Sequence, residues 1–255
     1  MYRVTDRYGQ MTAAKVHDAG TLDRAELAQR VDVQARLAAI HPVVCRPLTL
    51  EGRYVTDAVL DGHSPSHIVR FEWIDGLEPD VTEAGAAAGM GTALAALHLA
   101  LRELAPSVLP TIATAPTTPP SSRWKFTGSP QLLHGDFISA NLLSSDGALR
   151  IVDFDDCGSG HIEFEVANAL YSVMFDAEVA GDATTYRSFR RAFVSGYFDS
   201  ARIEFAEGLI DELIDQRIET LRGWLAEPIS APIGIRNAST EWLDMLAGFV
   251  AGHQR

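Results

Sequence analysis

Apolar positions in this chain recur with two periods, and the change from one to the other divides it. Up to about residue 76 the runs are short and extended. "YRVTDR" and "MTAAKVH" flank Tyr8-Gly9-Gln10, which predicts a hairpin over residues 2–17. Leu27, Val31, Leu37 and Ile40 recur at helical spacing, which predicts a helix over 22–40, with Thr21 placed to cap it and Pro42 to end it. "RYVTDAVL" (53–60) and "HIVRFEWI" (67–74) predict two more strands, joined by Asp61-Gly62-His63-Ser64-Pro65 and stopped by Asp75-Gly76.

Beyond residue 76 the period is helical. An Ala/Leu-rich helix is expected over 83–105, then a Pro-, Thr- and Ser-rich irregular loop over 106–130, then helices over 163–178, 183–199, 203–226 and 238–252. No internal repeat is visible. The expected fold class is α+β: a small antiparallel-sheet lobe of about four strands and one helix (1–76), followed by a larger, mainly helical lobe (77–255).

Composition narrows this picture. Apolar residues make up 47% of the 255 positions, enough for a substantial core. The N-terminal "MYRVTDRYGQ" lacks the basic and apolar regions of a signal peptide, and no run approaches the roughly 18 apolar residues of a membrane span, so a soluble protein is expected. Cys45 and Cys157 are far apart and match no metal-ligand spacing; two free thiols fit a reducing cytoplasm. The formal net charge of −13 argues against binding the nucleic-acid backbone. It serves solubility, and it would also attract a metal or a cationic substrate.

The chemistry concentrates in "LLHGDFISANLLSSDGALRIVDFDD" (132–156), which holds five carboxylates among mostly apolar or small residues. Buried carboxylates are costly unless paired. Ser144-Ser145-Asp146-Gly147 is a turn between "NLL" and "LRIVDF", so Asn141 and Asp153 approach each other at the open end of a hairpin. Asp136 sits five residues before Asn141, after Leu133-His134-Gly135. Three hard oxygen donors therefore converge, a set suited to Mg2+ with substrate phosphates. Phosphoryl transfer to a hydroxyl needs this kit: an Asp for the hydroxyl, and an Asn and an Asp for the metal.

Asp-x4-Asn followed by a distant Asp is the spacing of a kinase catalytic loop and metal motif. With His134-Gly135-Asp136 and Asp153-Phe154-Asp155, the chain resembles the aminoglycoside phosphotransferase family, small-molecule kinases of the protein-kinase-like fold related to choline, homoserine and fructosamine kinases. The resemblance runs from about residue 2 to about 200 and is strongest in "HGDFISAN…IVDFDDCGSG". Leu94, Leu97 and His98 match a Leu-x-x-Leu-His helix of the family.

The resemblance implies transfer of the γ-phosphate of ATP or GTP to a hydroxyl of a small molecule, with cationic antibiotics (aminoglycosides or basic peptides) among the acceptors; the charge and the apolar runs lead to the expectation of no nucleic-acid and no membrane partner. It implies Asp136 as the catalytic base and Asn141 and Asp153 as Mg2+ ligands. Lys15 becomes the lysine on the α- and β-phosphates, Ala13 sits under adenine, and Glu72, Trp73 and Ile74 form the hinge strand. His134 braces the loop, Asp155 lies near metal or substrate, and Asp156 anchors its loop. The first helix would supply an acid to Lys15, either Glu26 or Asp32.

The chain departs from the family before Lys15. Only one strand precedes the lysine strand, and Gly9 sits in the turn between them, so the usual first strand and phosphate loop are not seen. A start upstream, a truncation, or phosphate binding without that loop would each account for this. The competing reading is a non-catalytic module that captures a cationic small molecule; a metal-dependent phosphohydrolase is a third. Glu163, Glu165, Asp176 and Glu178 are the acids that could line a cationic site, and Trp224 and Trp242 could wall it or pack in the core.

Overall fold

The computed structural model describes residues 1–20, 22–59, 65–108, 126–206 and 208–253. These fall into two compact units. The first comprises the described parts of Met1–Pro79, Ala96–Pro116 and Pro130–Gly160; the second, those of Asp80–Ala95, Thr117–Ser129 and His161–Arg255.

In the first unit, β1 (Tyr2–Thr5), β2 (Met11–Asp18), β3 (Pro47–Leu48), β4 (Val55–Val59) and β5 (Pro65–Glu72) form one antiparallel sheet. β5 pairs with β2, β3 and β4, and β1 adds to β2. The sequence led to about four strands; β3, two residues long, is the one it misses. The loop expected over 61–65 lies outside the described residues except Pro65, which opens β5.

α1 (Arg24–Ile40) buries Leu27, Val31 and Leu37, the spacing its sequence announced. Asp23 caps it, accepting from the Ala25 and Glu26 N–H groups; Thr21 lies outside the described residues. Ala13, Leu27, Val31, Cys45, Val55, Val69 and Phe71 form the core here, with Trp73, Ile74 and Val152 packed against it. Partners across a strand share a face. The register Arg3↔Ala13↔Phe71, then Lys15↔Val69, therefore puts Arg3, Ala13 and Lys15 on the core side of the sheet.

The same unit holds two short ladders, β6 (Gln131–Leu133) with β9 (Gly158–Gly160) and β7 (Leu142–Ser145) with β8 (Ala148–Ile151). The β7–β8 turn puts Asp146 and Gly147 at φ 50° and 75°, as a two-residue hairpin requires. Ile151 also bridges in parallel to Val44, which ties this hairpin to the segment after α1.

The second unit is helical: the start of α2 (Ala84–Val108), then α3 (Ile162–Val179), α4 (Ala183–Ala201), α5 (Leu209–Ala226), a four-residue α6 (Ile233–Arg236) and α7 (Thr240–Gly252). Gly91 and Gly196 let α2 and α4 touch backbone to backbone. A Cβ on either would come 2.0 Å from the Phe193 carbonyl or 2.2 Å from that of Ala88. α5 begins at 209 rather than 203, because Arg202 and Gly208 take left-handed conformations that end one helix and precede the next. Contrary to the expectation from apolar runs, Ala84–Leu104 is long and apolar enough to span a membrane by composition (mean hydropathy 1.5), but half of that window is buried inside the protein, as in a core helix.

Candidate active site

Everything in this site lies in the first unit. The His134-Gly135-Asp136 corner follows β6. Gly135 has φ +90°, and a Cβ there would sit 2.0 Å from the Asp156 carbonyl, so the corner needs glycine twice over. His134 is fully buried; its Nε2 donates to the Val152 carbonyl at 2.9 Å and its Nδ1 accepts from the Asp136 N–H at 3.3 Å. The ring also meets Phe154 edge-on. His134 thus joins the strand before Asp153 to the backbone of Asp136.

Asn141 closes the loop. Its amide nitrogen donates to the Asp136 carbonyl at 2.9 Å and to Asp136 Oδ2 at 3.0 Å. That leaves its amide oxygen as a donor for a cation. Asp153 has φ +64°, a left-handed turn that an Asp tolerates better than most residues. Both its oxygens lie 2.6 Å from Lys15 Nζ, and Asp155 Oδ2 lies 2.7 Å from the same ammonium.

This ion cluster shifts its members. Burial alone would lower the Lys15 pKa, but the carboxylates of Asp155 and Asp153 outweigh it and hold the ammonium above its usual range. Burial likewise works to raise Asp153, yet Lys15 pulls it below the ordinary carboxylate value. Asp156 goes the other way: burial, then the negative charges of Asp136 and Asp155, push it up.

Neither acid expected to pair with Lys15 is its partner, since Asp153 and Asp155 take that place. Glu26 pairs with Arg30 and Asp32 with Arg36, four residues along the helix in each case. Arg30 occupies the inward position instead and donates to the Asp155 carbonyl. Glu72 is turned to structural work: its carboxylate pairs with Arg150 and accepts from the Arg46 N–H at 3.0 Å, and its own N–H is bound by the Arg46 carbonyl at 3.0 Å. Trp73 and Ile74 lie beside the sheet core.

Sequence reasoning missed Arg30, His17 and Glu78. His17, two residues after Lys15 on the same face, places Nδ1 3.5 Å from Asp155 Oδ2. Glu78 accepts from the Ser139 hydroxyl, inside the turn between Asp136 and Asn141. Leu77 and Ser144 exchange backbone hydrogen bonds at 3.1 and 2.7 Å, and Ser145 donates to the Asp75 carbonyl at 2.8 Å. The segment 75–78 is therefore bolted to the Asp136–Asn141 loop and to the strand that follows it. A Gly-bearing break followed by an acid is the only local signal of this.

The four acids of the conjectured cationic site do not gather. Glu163 and Glu165 are buried at the first turn of α3, Glu163 accepting from the Thr127 N–H at 2.6 Å, whereas Asp176 and Glu178 are exposed at its far end. Trp242 packs on Phe175 and Trp224 lies under Arg217.

The donor set fits a hard divalent cation, since Asn141 offers an amide oxygen and Asp153 a carboxylate. Among the described residues no group of three His, Cys, Asp or Glu side chains is arranged as a metal cage. Mg2+ asks for less, one or two carboxylates plus water and phosphate oxygens.

Residues 109–206 match the model of a phosphotransferase enzyme family. No curated protein matches the chain. Among solved structures, an amicoumacin kinase in complex with AMP-PNP and Ca2+ is similar with a TM-score of 0.73 at 16% identity, over 98% of this chain and 83% of that one. A microcompartment-associated aminopropanol kinase gives 0.66 at 20% identity, over 98% and 86%. An aminoglycoside phosphotransferase from Alicyclobacillus acidocaldarius gives 0.61 at 15% identity, over 99% and 88%. At these identities the likeness establishes the fold, which is kinase-like.

Proposed function

We propose, for a chain whose residues 109–206 match the model of a phosphotransferase enzyme family, the activity of a small-molecule kinase: transfer of a nucleotide γ-phosphate to a hydroxyl. The observation that carries this is Lys15 Nζ held 2.6 Å from Asp153, with Asp136 and Asn141 joined at 3.0 Å in the same unit. Lys15 would meet nucleotide phosphates. Asn141 and Asp153 would hold a divalent cation, with Mg2+ the fit for these oxygen donors, and that ion would supply charge neutralisation on the phosphates. Asp136, fixed by Asn141 and by its N–H bond to His134, would orient the acceptor hydroxyl and take its proton.

An acceptor that carries an amine beside its hydroxyl suits a protein of net charge −13. The similar fold named as an aminopropanol kinase supports the same class. ATP and GTP are both candidate donors.

Thermal shift with ATP or GTP, with and without Mg2+, tests the reading first, because a ligand of the native state raises its stability. Mg2+-dependent stabilisation by a nucleotide is expected, with loss of phosphate transfer to an amino-alcohol panel in Asp136→Asn by a factor of about 100 or more. A wild-type protein that neither binds nucleotide nor turns over would reject it.

A further inference from the structure

We propose that Arg3 is the base-stacking residue of the nucleotide site, its guanidinium covering one face of the purine. This rests on the kinase reading above and adds a residue to it. The β1–β2 register sets Arg3 directly opposite Ala13, so both project from the face that carries Lys15. Ala13 is small and leaves that face low, whereas Arg3 is long and exposed.

The guanidinium has a defined resting place. It lies over the Trp73 ring, 5.9 Å from the centroid. Among the described residues no carboxylate pairs with it. A guanidinium at cation–π distance from an aromatic ring, with no ion pair to spend its charge on, is free to turn its plane onto a flat π-system.

Direction decides which part of a nucleotide it would meet. Thr12 lies opposite Glu72, so Trp73 falls at the Met11 end of β2. Lys15 and its carboxylates lie on the other side of Ala13, towards the Asp18 end. Arg3 therefore leans away from the phosphate-binding lysine and towards the 72–74 segment, where a base and not a triphosphate would rest. A purine resting on the face that carries Ala13, beside that segment, would replace or share the indole as the surface under the guanidinium.

The test is calorimetric titration of the full chain with Mg2+ and, in turn, adenosine, ATP and inorganic triphosphate, for wild type, Arg3→Lys and Arg3→Leu. Arg3→Leu should bind adenosine and ATP about five- to tenfold more weakly, the size of a partly desolvated cation–π contact, and Arg3→Lys about two- to threefold more weakly, because an ammonium keeps the charge and loses the plane, while Arg3→Lys binds triphosphate as wild type does. Full ATP affinity in Arg3→Lys, with ATP and triphosphate weakened equally in Arg3→Leu, would mean a charge contact to phosphate and overturn the proposal. Unchanged affinities in Arg3→Lys for all three ligands would reduce Arg3 to packing on Trp73 and overturn it too, with the kinase reading intact. Wild-type protein that binds neither ATP nor adenosine overturns both. Arg3→Lys alone carries the decision if Arg3→Leu does not fold.

Discussion

Lys15 neutralises two carboxylates at once, and this accounts for the acids gathered on apolar strands. Without it, Asp153 and Asp155 would repel each other in a poorly solvated place. The depressed pKa of Asp153 makes this pairing a pH-dependent contribution to stability. A carboxylate lowered on folding stabilises above its unfolded value, here 3.8, and the contribution is lost as pH falls through the lower folded value. Asp153→Asn keeps a side chain that tolerates the left-handed turn. Its melting temperature should therefore fall below that of wild type at pH 7, and the gap should close below pH 3.8. A gap of constant size from pH 7 to 3 would show that the charge of Asp153 does not stabilise the fold.

At the scale of elements, the site is an arrangement of short pieces that cannot stand alone. β6, β7, β8 and β9 are three or four residues each. They hold their places through the His134–Val152 bond, the Gly135–Asp156 contact and the bolts from 75–78. Of these, Glu78–Ser139 is the one that reaches inside the Asp136–Asn141 turn. Glu78→Ala should lower kcat about tenfold, as expected for loss of one hydrogen bond to a charged acceptor (~1.5 kcal/mol). Nucleotide affinity should stay within about twofold, and Glu78→Gln should recover most of the rate. Equal losses in kcat and nucleotide affinity would show that Glu78 contacts the nucleotide itself.

For the molecule as a whole, charge is the dominant property. Thirteen net negative charges would draw a cationic acceptor in and repel an anionic one. Screening shortens from about 10 Å at 0.1 M salt to about 3 Å at 1 M. The KM of an amine-bearing acceptor should accordingly rise severalfold across that range, while that of a neutral polyol should not. Parallel changes for both acceptors would assign the effect to the nucleotide or to the fold.

Some features were readable along the chain because their physics is local. The helical spacing of Leu27, Val31 and Leu37 foretold α1 and its buried face, since one helix turn repeats every few residues. The turn at Asp146-Gly147 and the His134–Asn141 spacing are likewise set by neighbours in sequence. Other features came only with the tertiary structure, because their energy comes from partners far along the chain. β3 is two residues long and exists through pairing with β5. Lys15 finds its acids 138 and 140 positions away, so the helix acids Glu26 and Asp32, both closer in sequence, were the misleading choice. Glu163 reads as a solvated acid until Thr127 is seen to bind it out of water's reach. The sequence by itself determined which residue types and which local turns were present; the tertiary structure alone decided which charges would meet, because a Coulomb interaction depends on distance in space and not on separation along the chain.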